Sequence, residues 1–183
     1  MIWFFTPYSF EKRLFEAYDR YMDLVTNPND WVCFLDGDTA FLRSDFGHHM
    51  QEYISKFPET GIFTSYVSRS RTSWMMPPDH IFNETNILRH KEKADWHFNN
   101  QHLDVTEIDR RIIGCLMLMK KSTWLLIRDD VSEKCIDKEI LSVDSTISLQ
   151  VIAFKLKIRL MKGIYLFHYY RHLEGAHSKK HLQ

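Results

Sequence analysis

Apolar residues follow two different spacings along the first part of the chain. Residues 2–5 form a continuous apolar run that stops at Thr6-Pro7, which predicts a strand buried on both faces. Apolar side chains then recur every three or four positions over residues 10–25, which predicts a helix that Ser9 could cap. Residues 31–35 are a second short apolar run. Strand, helix and strand in this order predict a βαβ unit of a parallel sheet.

The rest of the chain continues with the same two patterns around a long irregular stretch. Helical spacing over residues 46–57 ends before Pro58, and residues 61–66 have the composition of a strand. Periodicity is weak over residues 67–111, and such a stretch is more often a binding loop or lid than filler. The later predicted elements are a strand over 112–119 broken by Gly114, short and long helices over 122–127 and 144–156, and two short strands over 158–161 and 164–167.

These elements predict an α/β protein with one domain. A chain of 183 residues fits a single domain with a sizeable core. We expect a mixed, mostly parallel sheet flanked by helices over residues 1–171. Residues 172–183 are polar and are expected to form a mobile tail.

Composition narrows the classes of partner and compartment. The 24 basic and 24 acidic side chains balance, so the electrostatic case for a nucleic-acid partner is weak and we expect none. The three cysteines cannot all pair, and Cys33 and Cys115 lie in apolar runs, where a buried thiol behaves as a small hydrophobe. No apolar run reaches the roughly 18 residues of a membrane span. We therefore expect a cytoplasmic protein in a reducing compartment, with peripheral membrane contact left open.

The first candidate for chemistry is the triplet Asp36-Gly37-Asp38, which directly follows the apolar run 31–35. Carboxylate oxygens suit hard divalent cations such as Mg²⁺ and Mn²⁺, which are often shared with substrate phosphates. Gly37 permits a close approach of the backbone to a ligand. Asp-Gly-Asp is also ordinary turn chemistry, so the triplet alone leaves both interpretations open.

Two further candidates lie far downstream. His168 ends an apolar run, and its imidazole could complete the coordination of a metal held by Asp38. The alternative for His168 is a half-buried structural histidine. Asp144 opens a predicted helix, where it is either a cap that complements the helix dipole or a general base for a hydroxyl nucleophile.

Basic side chains are concentrated in the irregular stretch and could clamp a diphosphate. Solvated surface positions are the alternative for them. The set comprises Arg69, Arg71, His80, Arg89, His90 and His97. Arg71 and His90 are the two that we assign to donor binding.

The order of these motifs resembles that of the family-2-like glycosyltransferases of the GT-A fold, which carry a DxD motif. The parts that match, in chain order, are Thr6-Pro7-Tyr8 after the first strand, Asp36-Gly37-Asp38 after the second, the segment 113–118, Asp144 and His168. The resemblance covers most of the chain, although each motif is short. It implies a GT-A-like fold and the transfer of a sugar from a nucleotide-sugar donor to a hydroxyl of a glycan or lipid-linked acceptor, with inversion.

The resemblance also implies a role for each matching residue. Asp38 and His168 would hold Mn²⁺ or Mg²⁺ on the donor diphosphate, and Asp36 would contact the ribose or the metal through water. Thr6, Pro7 and Tyr8 would border the nucleotide base. Gly114 would let the backbone approach the donor sugar or the acceptor. Asp144 would deprotonate the acceptor hydroxyl.

Two departures from the family pattern keep alternatives open. Only 35 residues precede Asp36, so the nucleotide-binding half is expected to be shortened, and Asp144 is a single acid where the family often has two. A haloacid-dehalogenase-type phosphatase also places two aspartates after a buried strand, and Asp129-Asp130 could supply its later acids. That family expects Thr or Val where this chain has Ala40. A binding module without turnover is the third alternative.

Overall fold

The protein is built around one mixed β-sheet. The computed structural model describes residues 1–70, 72–136 and 143–169. Its strands are β1 (Ile2–Phe5), β2 (Trp31–Leu35), β3 (Thr39–Phe41), β4 (Thr60–Val67), β5 (Val105–Ile108), β6 (Leu116–Lys120) and β7 (Lys157–His168). Its helices are α1 (Leu14–Asp23), α2 (Phe46–Lys56), α3 (Ile87–Gln101), α4 (Lys121–Cys135) and α5 (Val143–Ala153), with a short 3₁₀ turn at Ser73–Met75.

The strands are arranged in the order β1-β2-β6-β4-β7-β3, and β5 also pairs with β7. β1 pairs with β2 and β4 pairs with β7 in parallel, whereas the four pairs β2–β6, β4–β6, β3–β7 and β5–β7 are antiparallel. The α/β class and the mixed sheet are confirmed. The expectation of a mostly parallel sheet is wrong for the described strands, because β6 inserts antiparallel between β2 and β4.

The predicted βαβ unit is present at the start of the chain, with β1 and β2 in parallel register around α1. However, β1 is an edge strand, so Trp3 and Phe4 keep exposed fractions of 36% and 40% instead of being buried. β2 is buried over its first four residues, as its apolar composition predicts. Phe10 lies before α1 and is exposed, so it does not belong to the buried face of that helix.

The stretch predicted to be irregular contains the 3₁₀ turn, the helix α3 and the strand β5. α3 begins after Asn86, whose side chain accepts a 3.0 Å hydrogen bond from the Leu88 N–H. Its buried face is formed by His90, Ala94 and His97, so histidines occupy positions where an amphipathic pattern would show apolar residues. The weak periodicity of this stretch therefore reflects polar residues on a buried face, not the absence of a helix.

The last two predicted strands are one strand, β7. Its pairing with β4 jumps from Met161 to Tyr165, which forms a bulge at the predicted break. A Cβ atom on Gly163 in this bulge would lie 2.8 Å from the Cα atom of His102, so no larger residue fits there without a shift of the backbone. β7 is the longest of the described strands, and it pairs with β3, β4 and β5. It therefore joins these three strands into one part of the sheet.

Candidate metal centre

Strand pairing brings Asp36 and Cys115 together. β2 and β6 are antiparallel, with Leu35 opposite Leu116, so Asp36 and Cys115 are the next residues along this pair of strands. Gly114 and Cys115 directly precede β6, and the start of β6 lies at the same end of the sheet as the end of β2. Cys115 is completely buried. The triplet Asp36-Gly37-Asp38 follows the strand, as its position in the sequence predicts.

A second pairing places Asp38 beside His168. Thr39 of β3 lies opposite His168 of β7, and the N–H of Tyr169 donates a 2.8 Å hydrogen bond to the carbonyl oxygen of Asp38. The Asp38 Oδ1 atom lies 3.3 Å from the His168 Nε2 atom. The two residues are thus on the same side of the sheet and within reach of one cation position. The metal itself stays a prediction.

The backbone around β4 fixes the orientation of the His168 ring. Nδ1 lies 2.8 Å from the carbonyl oxygen of Arg69, and the His168 N–H donates a 2.9 Å hydrogen bond to Ser68 Oγ. Because a carbonyl oxygen only accepts, Nδ1 carries the proton, and the lone pair of a neutral ring lies on Nε2. A histidine that ligates a metal usually has this arrangement, with its other ring nitrogen bonded to a carbonyl or carboxylate.

The donor set fits a divalent cation. One potential ligand atom from each of Asp36, Cys115 and His168 lies within 4.8 Å of the other two. Two ligands of a Mg²⁺ ion at right angles lie roughly 3.0 Å apart, close to the 3.3 Å between Asp38 Oδ1 and His168 Nε2. A lone pair on Nε2 facing a carboxylate oxygen at this distance requires a proton or a cation between them. The residues that could hold a metal are therefore Asp36, Asp38, Cys115 and His168.

Asp144 lies in the first turn of α5 and is tied to the segment before β6. Its Oδ2 atom accepts a 2.7 Å hydrogen bond from the N–H of Gly114, and its Oδ1 atom accepts a 2.8 Å bond from the N–H of Ser145. A Cβ atom on Gly114 would lie 3.3 Å from Asp36 Oδ1 and 3.4 Å from Asp144 Cβ. Gly114 therefore separates the two carboxyl groups at close range.

Burial, together with neighbouring negative charges, raises the pKa values of the acidic groups at this site. Burial raises the pKa of Asp36; the positive charge that His168 carries when it is protonated opposes that rise, and the charge of Asp38 adds to it. Burial, assisted by the charge of Asp36, raises the pKa of Asp144 to about 6. Burial and the nearby carboxylates also raise the pKa of the Cys115 thiol well above its ordinary value. Such clustered, shifted carboxyl groups are typical of functional sites, and a cation stabilises their ionised forms.

The segment predicted to border a nucleotide base leaves the sheet at the same end. β1 is parallel to β2, so Thr6 follows its strand as Asp36 follows β2. Thr6 Cγ2 lies 3.6 Å from the position of a Cβ atom on Gly37. Pro7 is partly buried, and Tyr8 has an exposed fraction of 71%, so its ring is available to a ligand.

His90 does not agree with its predicted contact to the donor. The residue is buried on α3, its Nε2–H donates a 2.9 Å hydrogen bond to the carbonyl oxygen of Glu84, and Nδ1 accepts a 2.8 Å bond from the Tyr165 hydroxyl. Its ring also packs on Phe167, whose side chain points to the face of β7 opposite that of His168. His90 is a core residue. Arg71, the other basic residue assigned to the donor, lies outside the described residues.

Three contributions to the site were not predicted. Cys115 was expected to be only a small buried hydrophobe, yet its Sγ atom lies 3.8 Å from His168 Nε2. Ser68 Oγ accepts a hydrogen bond from the His168 backbone N–H, and the Arg69 carbonyl oxygen orients the His168 ring. The Tyr18 hydroxyl lies 3.5 Å from the position of a Cβ atom on Gly114. The position of Cys115, directly after Gly114 and before an apolar run, is the sequence feature that could have indicated its place at the site. The contacts made by backbone groups could not be predicted, because they do not depend on residue type.

Asp129 and Asp130, the acid pair of the phosphatase alternative, both lie on α4. Asp129 lies on α4, and its side chain is 99% exposed. Ala40, which departs from the phosphatase pattern, is the middle residue of β3.

The sequence matches no protein-family model and no curated protein. Among the described residues, no helix has both the length and the hydropathy of a membrane span.

Proposed function

We propose that this protein is a metal-dependent glycosyltransferase that moves a sugar from a nucleotide-sugar to a hydroxyl group of a glycan or lipid-linked acceptor, with inversion. The observation that supports the proposal most is the 3.3 Å approach of Asp38 Oδ1 to His168 Nε2 at the end of β2. A nucleoside diphosphate is the substrate class that such a carboxylate–imidazole pair would take through a divalent cation. The GT-A family itself remains part of the proposal.

Asp38 and His168 would hold the cation, and Asp36 would contribute a further carboxylate or contact the ribose. A bound Mn²⁺ or Mg²⁺ supplies charge stabilisation for the departing diphosphate. Thr6, Pro7 and the exposed ring of Tyr8 border the same end of the sheet and would contact the nucleotide base. These residues would thus fix the donor beside Gly114.

Asp144 is the proposed general base. Its carboxylate would take the proton from the acceptor hydroxyl, whose oxygen then forms a bond to the anomeric carbon. The bond from that carbon to the diphosphate oxygen breaks, and its electron pair leaves with the nucleoside diphosphate. A pKa of about 6 suits a base that works near neutral pH. The hydrogen bonds from Gly114 and Ser145 hold the carboxyl group in one orientation.

The test is a panel of UDP- and GDP-sugars incubated with the protein, with Mn²⁺, Mg²⁺ or EDTA, followed by measurement of released nucleoside diphosphate. The proposal predicts release that requires the metal and that is lost in Asp38→Ala. Metal-independent release of phosphate from a generic phosphoester would instead favour a phosphatase. Tight binding of a nucleotide-sugar without turnover, with and without candidate acceptors, would favour a binding module.

A further inference from the structure

The candidate site contains a sulfur donor that the proposed reaction does not use. Cys115 Sγ lies 3.2 Å from His168 Nδ1 and 3.8 Å from Nε2. The Asp36 carboxylate completes a group whose ligand atoms all lie within 4.8 Å of one another. Sulfur, nitrogen and oxygen donors from three separate segments therefore lie near one another, at the ends of β2 and β7 and before β6.

We propose that Asp36, Cys115 and His168 form a Zn²⁺ site that overlaps the Mn²⁺ or Mg²⁺ site, so that Zn²⁺ inhibits the protein. One Cys, one His and one carboxylate, with a position left for water, match the ligand types and number of many zinc centres. The binding part of this inference stands on the donor cluster alone. The inhibition part rests on the proposed function.

The separation of the Cys115 sulfur from His168 Nε2 is close to that in a zinc site, although the sulfur does not yet lie in front of Nε2. In a tetrahedral site with Zn–S of about 2.3 Å and Zn–N of about 2.0 Å, the sulfur and nitrogen atoms lie roughly 3.5 Å apart. The Cys115 Sγ and His168 Nε2 atoms are 3.8 Å apart. Nε2 is the nitrogen that remains for a metal, because Nδ1 is bonded to the Arg69 carbonyl oxygen. Because Sγ lies nearer to Nδ1, at 3.2 Å, than to Nε2, the Cys115 side chain must turn towards the Nε2 side of the ring before both atoms can bind one ion.

The chemistry of the donors favours zinc over the harder cations. Thiolate sulfur selects Zn²⁺ over Mg²⁺ and Mn²⁺, and mixed sites bind Zn²⁺ more tightly than Mn²⁺ in the general order of divalent metals. Cys115 and His168 have exposed fractions of only 0% and 4%, so water competes weakly for their ligand atoms. Since Nε2 of His168 belongs to both donor sets, a zinc ion bound to it would exclude a cation shared with Asp38.

Cobalt titration tests the binding part directly. Co²⁺ replaces Zn²⁺ in such sites, and a thiolate ligand produces a strong sulfur-to-cobalt charge-transfer band in the near ultraviolet. We expect this band to saturate at one equivalent of Co²⁺ in the wild-type protein under reducing conditions. Stoichiometric Zn²⁺ should remove the band, whereas a large excess of Mg²⁺ should leave it. Absence of the band in the wild-type protein would overturn the inference without the use of any variant.

Two cysteine variants assign the ligand. Cys33 is equally buried but lies within β2, paired with Leu118, so Cys33→Ser is the matched control for Cys115→Ser. Loss of a supporting contact outside the ligand shell commonly lowers metal affinity 10–100-fold, so loss of Cys115 itself should lower Zn²⁺ affinity by at least about 100-fold. Cys33→Ser should retain the cobalt band. A cobalt band that persists in folded Cys115→Ser would contradict the assignment of Cys115 as a ligand. If Cys115→Ser does not fold, Asp36→Asn is the second variant, and it should weaken Zn²⁺ binding.

Failure of this inference and failure of the proposed function give different results. If the protein lacks transferase activity, the cobalt band and its loss in Cys115→Ser still decide whether zinc binds. If transfer occurs, micromolar Zn²⁺ should inhibit the wild-type protein in the presence of Mn²⁺, and Cys115→Ser should be resistant. Equal inhibition of wild type and Cys115→Ser would overturn the proposed mode of inhibition.

Discussion

The backbone N–H of Gly114 donates a 2.7 Å hydrogen bond to Oδ2 of Asp144. This bond joins the first turn of α5 to the segment that enters β6, and so holds a carboxyl group beside the end of β2. The neighbouring Asp36 carboxylate is close enough to contribute to the raised pKa of Asp144. The orientation of the Asp144 carboxyl group, the proposed base, therefore depends on the backbone position of Gly114.

Gly114→Ala should reduce turnover more than stability. The added Cβ atom would lie 3.3 Å from Asp36 Oδ1, so the Asp36 carboxylate beside Asp144 must move by a few tenths of an ångström, and it would be in van der Waals contact with Asp144 Cβ at 3.4 Å. A displacement of this size at a reacting group should lower kcat roughly tenfold. The control is Gly47→Ala in α2, where a Cβ atom meets nothing within 4 Å. That control should keep full activity and gain about 0.5–1 kcal/mol of stability.

Asp144→Asn should abolish the acid limb of the pH–rate profile. Because the pKa of Asp144 is raised to about 6, the base form is present above that pH and is lost below it. In the wild-type protein kcat/KM should therefore rise about tenfold per pH unit up to about 6 and then level off. The variant should be slower by a factor on the order of 10²–10⁴, with no inflection near 6. An unchanged profile would remove Asp144 from the role of base.

The same titration should be visible in the stability of the metal-free protein. The folded-state pKa of Asp144, raised from 3.8 to about 6, means that the folded protein binds this proton more tightly than the unfolded chain does. Its contribution to stability is present below about pH 4 and is lost as pH rises through about 6. Relative to wild type, Asp144→Asn should gain on the order of 3 kcal/mol between pH 4 and pH 7. Urea unfolding of both proteins at the two pH values measures the difference; parallel pH dependences would contradict it.

Asp38→Asn should lower metal-dependent turnover without loss of the fold. The Asp38 side chain is 46% exposed, so the substitution leaves no buried cavity. Loss of one ligand to the cation should reduce kcat/KM at least about 100-fold and raise the Mn²⁺ concentration needed for half-maximal activity. Asp129→Asn is the control, because that side chain is 99% exposed on α4. Equal activities of the two variants would exclude Asp38 as a ligand.

His90→Ala should destabilise the fold and leave specific activity unchanged. The substitution removes one hydrogen-bond partner each from the Tyr165 hydroxyl and the Glu84 carbonyl group, and it opens a cavity between α3 and β7. The expected loss is about 2–4 kcal/mol in the free energy of unfolding. His48→Ala, at a side chain that is 76% exposed on α2, should change neither quantity. A selective increase in the KM for the donor would instead restore His90 to a binding role.

Local signals predicted much of the fold and part of the candidate site. The apolar run before Asp36 could be identified from its composition, because β2 is short, buried and followed by a turn. α3 was missed because His90 and His97 occupy its buried face, and a polar residue in a pattern is ordinarily placed in solvent. His90 was misassigned for the same reason: residue type shows that a ring can bind a ligand, but only packing shows whether its nitrogens are already bonded.

The proximity of Asp38 and His168 depends on long-range pairing. The two residues are 130 positions apart, and they meet because Thr39 pairs with His168 across β3 and β7. The sequence contains both end points but not the register of that pair. Cys115 joins them through a different pairing, that of β2 with β6. Metal binding could therefore be predicted from the residue types, whereas the full set of ligand atoms could be identified only from the pairing of the strands.

Metal and donor binding can be tested together in a crystal of the protein soaked with Mn²⁺ and a nucleoside diphosphate, with data collected at the manganese absorption edge. We expect one anomalous peak within coordinating distance of both Asp38 and His168 Nε2, in contact with the diphosphate oxygens. Manganese bound elsewhere, or a diphosphate bound away from the end of β2, would contradict this expectation.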